Sequence, residues 1–170
     1  MKQQQKTIFL AQSGLIAALY VALTVLLQPI CFGPVQCRLS EMLTILPVYT
    51  PAAIPGLTVG CFLSNLIGLS SGANPAGAWD LLFGTAATLS AALLTRWLRD
   101  VKWFRLPLAA TVPPVVINAV IVGVELYVMY GGFPLYVHVL LVGVGQVISC
   151  TVGGALLALT MEKSGLSRRL

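Results

Sequence analysis

LSEMLTILPVYTPAAIPGLTVGCFLSNLIGL, residues 39–69, is the stretch on which the fold turns. It is apolar almost throughout but carries Pro47, Pro51 and Pro55. Proline lacks a backbone donor and stops or kinks a helix. The stretch is therefore either two short helices turning near Thr50-Pro51 or one long bent element, and the basic residues decide between them. Lys2 and Lys6 precede the first apolar run, and Arg96, Arg99, Lys102 and Arg105 follow the run that starts at Trp79. Lys163, Arg168 and Arg169 come near the end of the sequence. If the stretch crosses a membrane twice, all nine fall on one side, the cytoplasmic side by the Lys/Arg excess of cytoplasmic loops. If it crosses once, the N-terminus faces away from the other two clusters. Two crossings are the better reading.

The composition sets the same environment. Of 170 residues, 9% are Asp, Glu, Lys or Arg and 58% are apolar, and the mean hydropathy is +0.92. A soluble domain carries about 25% charged residues, so a cytosolic enzyme, a secreted disulfide scaffold and a disordered segment are excluded. The net charge of +5 would suggest nucleic acid in a soluble chain. In a membrane chain it reports orientation, and no nucleic-acid partner is expected. The first apolar run continues to Gln28-Pro29, longer than the roughly 7–15 apolar residues of a cleavable signal, so it reads as a retained helix. The expected fold is an all-α integral membrane protein, a single transmembrane domain over residues 1–170. Its six transmembrane helices cover about 8–30, 39–50, 52–69, 79–98, 106–130 and 133–161 at roughly 20 residues per crossing. Both termini are expected in the cytoplasm, with membrane lipid around the helices.

The embedded polar residues gather toward the outer side. Glu41 and Asp80 open the second and fourth spans, Glu125 lies near the outer end of the fifth, and His138 near the start of the sixth. Asn65 and Gln28 sit near outer helix ends, Asn118 and Gln146 lie deeper, and Arg38 is the one basic residue left outside. Asn118 and Glu125, seven apart, share a helix face. Ionisable groups in a span cost roughly 2.5–3.5 kcal/mol on insertion scales and usually face a cavity or a partner. An outward-facing polar pocket is the sharp reading, with Trp79, Phe83, Tyr127 and Tyr136 close by in sequence. The plain alternatives stay open: helix-start acids for Glu41 and Asp80, a packing role for His138, and an interfacial belt for the aromatics, Tyr130 and Trp103 above all.

Small residues make a second pattern. The first span reads Gly14-x3-Ala18-x3-Ala22 and the sixth Gly145-x3-Ser149-x3-Gly153. Such stripes let helices approach closely in lipid, either inside the bundle or, for the first span, against another membrane subunit. Other chemistry is missing. Cys31, Cys37, Cys61 and Cys150 contain no Cys-x-x-Cys pair, and one His cannot build a zinc site of the usual kind. Cys31 and Cys37 are either an outer-face pair or free thiols. No phosphate loop or hydrolase motif is present, no cofactor is called for, and no internal repeat suggests a self-contained carrier.

Four blocks resemble a known family: Phe32-Gly-Pro-Val-Gln-Cys-Arg-Leu-Ser-Glu41, Ala53-Ile-Pro-Gly-Leu-Thr-Val-Gly60, Trp79-Asp-Leu-Leu-Phe-Gly84 and Asn118-Ala-Val-Ile-Val-Gly-Val-Glu125. They are similar to the queuosine-precursor transporter (QueT) family from about Gly14 to Thr160, the first block being the most specific. The resemblance implies a substrate-binding S component of an energy-coupling factor (ECF) transporter in the bacterial cell membrane. Such a subunit joins a transmembrane coupling subunit and two cytoplasmic ATPases, which supply the energy; the chain itself is not an enzyme. The small-residue docking motif of S components maps onto Ala18-x3-Ala22, with Gly14 one step earlier. An aromatic often stands in the family at the position of Cys37 and a Glu at that of Gln146, and this chain departs at both.

The implied small-molecule ligand is a 7-deazaguanine, whose edge carries two adjacent donors beside an O6 acceptor. Glu125 or Glu41 is the expected acceptor for those donors. Asn118, Gln146 or Arg38 is expected near O6, Trp79 and Tyr127 on the ring faces, and Asp80 near a cationic arm, with His138 a further candidate binding residue. An S component for biotin, thiamine or riboflavin is the first alternative. An intramembrane enzyme using Glu125 and His138 as acid and base, and a purely structural subunit, rank below it.

Overall fold

The computed structural model describes residues 2–32, 36–74, 76–103 and 106–165. Arg105, Arg168 and Arg169, and residues 33–35 of the first block, lie outside them. The elements are α1 (Lys2–Leu26), α2 (Gln28–Cys31), a 3-10 helix (Leu39–Val48), α3 (Ala53–Ser70) and α4 (Ala78–Trp97). A 3-10 turn (Leu108–Thr111) leads into α5 (Val112–Tyr130), and α6 (Leu135–Gln146) runs through a π-helical segment (Val147–Gly153) into α7 (Gly154–Lys163). Among the described residues there is no strand; a lone bridge between Trp103 and Leu106 closes one loop.

Five helical stretches are long and apolar enough to cross a membrane: Gln3–Leu26, Ala53–Ser70, Ala78–Trp97, Leu108–Tyr130 and Leu135–Lys163. The expected first helix at 8–30 instead starts at Lys2 and breaks after Leu26, where α2 begins with Pro29 in its first turn. The second expected helix is the largest departure, because Leu39–Val48 is wound as 3-10 helix for ten residues. Runs beyond 3–4 residues are uncommon. At three residues per turn its side chains form rows. Ser40, Leu43 and Leu46 make one buried row, and Glu41, Thr44 and Pro47 make another. Both ends of this helix are tied to α4. Arg38, just before it, pairs with Asp80 in the first turn of α4. At the far end, Arg96 Nη1 donates to Pro47 O at 3.0 Å and Val48 O at 3.1 Å.

Packing follows from small residues. A Cβ on Gly56 would meet Ser13 O at 2.8 Å, and one on Gly60 would meet the Tyr20 Cβ at 2.8 Å, so these two glycines let α3 close on α1. Beside this contact, Gly14, Ala18 and Ala22 of α1 are exposed. The stripe in the sixth span points inward, with Gly145, Ser149 and Gly153 buried. A Cβ on Gly153 would stand 3.0 Å from the Met42 Cβ of the 3-10 helix. Identical spacing thus serves an internal contact in one helix and an open face in the other.

The distribution of polarity is inverted relative to a protein in water. Leu10, Leu26, Leu82, Val128 and Leu140 are largely exposed, while Arg38, Glu41, Asn65, Asp80, Asn118 and Gln146 are buried. Lipid is the environment that accepts such a surface.

Candidate functional site

Residues far apart in sequence meet in three adjoining groups. In the first, the 3-10 helix, α3 and α4 place Arg38, Asn65 and Asp80 together. Arg38 forms a buried ion pair with Asp80 and donates to Asn65 Oδ1 at 3.1 Å. Asn74 Nδ2 donates to Asp80 Oδ2 at 2.8 Å, and Asn65 Nδ2 to Asp80 O at 2.8 Å. The Phe32 ring lies 4.9 Å from the guanidinium carbon, a cation–π contact. Asp80 Oδ1 and Arg38 Nε have no partner among the described residues.

Gly84 makes this carboxylate fit: a Cβ there would fall 1.9 Å from Asp80 Oδ1 and 3.1 Å from Asn65 Nδ2. Gly84→Ala should therefore displace Asp80 and cost about 1–3 kcal/mol by overpacking. A thermal melt in detergent micelles that matches wild type would refute the steric account.

The second group links four helices. The Tyr20 hydroxyl on α1 donates to Glu41 Oε1. Asn118 Nδ2 on α5 donates to Glu41 Oε2 at 3.3 Å and to Gln146 Oε1 at 3.2 Å. Gln146, the last residue of α6, also accepts from the Cys150 thiol at 3.1 Å. The π-helical segment carries Ser149, whose hydroxyl lies 3.4 Å from Cys37 Sγ. All four cysteines are free.

The third group centres on Glu125. Both of its carboxylate oxygens are buried without a partner among the described residues. Glu125 borders a half-open groove of about 350 Å³ between α4 and α5, lined also by Trp79, Phe83, Val124 and Val128, all of which are partly exposed. The rings of Trp79 and Phe83 stack with centroids 5.6 Å apart. The groove falls in the size range of small-molecule pockets.

Most of the expected site residues thus converge, but three do not join them fully. His138 Nε2 sits 3.2 Å from Gly131 O, and its ring meets those of Tyr127 and Phe133 edge-on, a packing role at the turn between α5 and α6. Tyr127 therefore packs edge-on against His138 and does not line the groove with Trp79. Tyr136 is exposed. Tyr20 and Asn74 were not legible as site residues. A lone Tyr in an apolar helix and an Asn in a Gly/Ser loop carry no local pattern.

The family model described as QueT transporter matches residues 10–163. This chain belongs to the QueT transporter family. It is a multi-pass protein of the cell membrane. A curated relative, the queuosine precursor transporter QueT of Lactococcus lactis subsp. cremoris (strain MG1363), is 31% identical over 109 residues, which cover 59% of this chain and 60% of the relative. The chain thus spans about 60% of that relative's length. No solved structure matches. In this QueT family member, three of the four sequence blocks supply the groups just described. Arg38 and Glu41 come from the first, Asp80 and Gly84 from the third, and Asn118 and Glu125 from the fourth. The second block contributes Gly56 and Gly60, which close α1 onto α3.

Proposed function

We propose that the chain is the substrate-binding S component of an ECF-type transporter and captures a 7-deazaguanine from outside the cell. The observation that carries this reading is Glu125, whose two carboxylate oxygens are buried beside a half-open apolar groove without a partner among the described residues. Burying a charge without partners is costly, so the site calls for a ligand rich in donors. Glu125 accepts from the 2-amino side of the ring edge, Trp79 packs against a ring face, and Asn118 and Gln146 lie toward O6. Asp80 Oδ1 is the acceptor for a cationic arm.

Six crossings with both termini cytoplasmic fit this reading, the 3-10 helix serving as the short second crossing. It runs beside α4 from Asp80 to Arg96, from one end of the bundle to the other. Lys6, Arg96, Arg99, Lys102 and Lys163 are then cytoplasmic. Exposed Gly14, Ala18 and Ala22 line an apolar groove with Val59, Leu63 and Ile67 of α3, and this is the docking face for the transmembrane coupling subunit. Two ATPase subunits bound to that partner drive release.

Glu125→Gln keeps the shape and removes the charge. Hydrogen bonds to charged groups are worth about 1.5–3 kcal/mol, so affinity for 7-deazaguanines should fall tenfold or more. A thermal-shift and binding panel on purified protein, with deazaguanines against biotin, thiamine and riboflavin, checks this. Unchanged affinity in the variant removes Glu125 from the site, and a preference for one of the vitamins replaces the ligand.

A further inference from the structure

We infer that the end of the bundle around Arg96 holds the headgroup of an amine-bearing phospholipid, with the phosphate on Arg96 and Lys102 and the ammonium at Glu162. A cavity of about 430 Å³ opens there, and Tyr49, Arg96, Arg99, Asp100, Lys102 and Glu162 all line it. Four pieces of the chain build it: the end of the 3-10 helix, the last turn of α4, the loop 98–107 and the last turn of α7. An apolar cluster fixes these pieces to one another, with Ile45, Ala110 and Ala158 packed against Val48, Tyr49 and Leu157. The grooves along α1 and α3 and along α5 and α6 are lined by apolar side chains and glycine instead.

The charges around this cavity are only partly used by the protein. Arg99 Nε donates to Asp100 Oδ2 at 3.3 Å, an exposed pair that answers Asp100. Arg96 spends Nη1 on Pro47 O and Val48 O, and its Nη2 and Nε have no acceptor among the described residues. Lys102 and Glu162 form no ion pair among the described residues. The Tyr49 hydroxyl is buried without a partner, and a buried donor left unpaired is costly. Two cations and a hydroxyl thus await an anion, and one carboxylate awaits a cation. A bare anion answers only the first set and is repelled by Glu162. A phosphodiester that carries a primary ammonium answers both, each contact being a charge-assisted hydrogen bond. Lipid is the source because of what flanks the cavity. Trp97, Val101 and Trp103 are 78%, 44% and 55% exposed, and exposed indoles settle at headgroup level. Basic pockets between membrane helices take lipid headgroups. The inference requires only that this end of the bundle meets a membrane surface, so it stands apart from the identity of the transported ligand.

The test measures binding of phosphatidylethanolamine, phosphatidylcholine and phosphatidylglycerol, all with the same short acyl chains, to purified protein in detergent micelles. Native mass spectrometry and thermal shift are the readouts, and soluble glycerophosphoethanolamine is a fourth probe. Choline keeps the phosphate and the positive charge but has no N–H to donate, and glycerol has no positive charge. Wild type should bind the ethanolamine lipid about fivefold or more tightly than the other two lipids, and the soluble ester more weakly still. Glu162→Gln should bring the ethanolamine and choline lipids to within about twofold of each other, and Lys102→Ala should weaken both by about fivefold. Both side chains are exposed, so neither change disturbs the core; if a variant still fails to fold, the wild-type ranking decides. Equal binding of the three lipids, a preference for the glycerol lipid, or variants that keep the wild-type pattern overturn the inference. Glycerophosphoethanolamine bound as tightly as the lipid overturns it as well, by assigning the cavity to a dissolved phosphate ester.

Discussion

Asp80→Ala should destabilise the protein by about 3–5 kcal/mol, the range for leaving one member of a buried ion pair alone. The side chains of Arg38 and Asp80 are 4% and 0% exposed, so solvent cannot take over the guanidinium once its partner is gone. The carboxylate also accepts from Asn74, so the loop before α4 loses an anchor in the same step. Arg38 leads directly into the 3-10 helix, and ligand binding should weaken along with stability. The test is thermal or chemical unfolding of the solubilised protein. The pair itself need not be stabilising: Arg38→Met combined with Asp80→Leu, which removes both charges, should recover most of the loss. A single variant within about 1 kcal/mol of wild type would show that the ion pair does not hold the loops around Arg38 and Asn74.

Ala18→Leu with Ala22→Leu should abolish uptake while leaving ligand affinity near that of wild type. Both alanines are exposed on α1, and Gly14 above them has open space where a Cβ would stand. Their side of the helix is away from Tyr20, which is fully buried, so the larger side chains project outward and do not disturb Glu41. Small stripes allow close backbone approach in lipid, and two leucines would hold a partner helix several ångströms off. Uptake in whole cells and binding to purified protein are the two measurements. Uptake at the wild-type rate would remove α1 as the docking face, and loss of binding would show that the substitutions act through the fold.

Much of this architecture is legible in the sequence because lipid imposes few solutions. The basic residues alone choose between one and two elements in 39–69, and the embedded acids, carrying a cost wherever they are placed, point to the region where the candidate site is built. What is hidden is pairing. Nothing in the spacing of Glu41 says that its partner is Tyr20, 21 residues earlier, or that Asn118 rather than a ligand takes its second oxygen. The small-residue stripes of α1 and of the sixth span look alike, yet only packing tells that one is open and the other pressed against Met42. Gly56 and Gly60, which close α1 onto α3, are a small-residue stripe too, but the neighbouring Pro55 masks it in the sequence. The 3-10 winding was also hidden, since an apolar run of ten residues does not state its pitch.

That winding has a mechanical consequence. Ten residues rise about 20 Å at the 3-10 spacing of 2.0 Å each, against about 15 Å as α-helix. The two arginines fasten this segment to opposite ends of α4, at Asp80 and Arg96, which stand about 24 Å apart at 1.5 Å per residue. Rewound as α-helix, the segment would come up roughly 5 Å shorter and one fastening would have to part. The 3-10 segment is thus an extended tie between the two ends of α4, and Glu41 sits on it one turn from the Arg38 fastening. A slide or tilt of α4 would pull on the segment that carries that carboxylate.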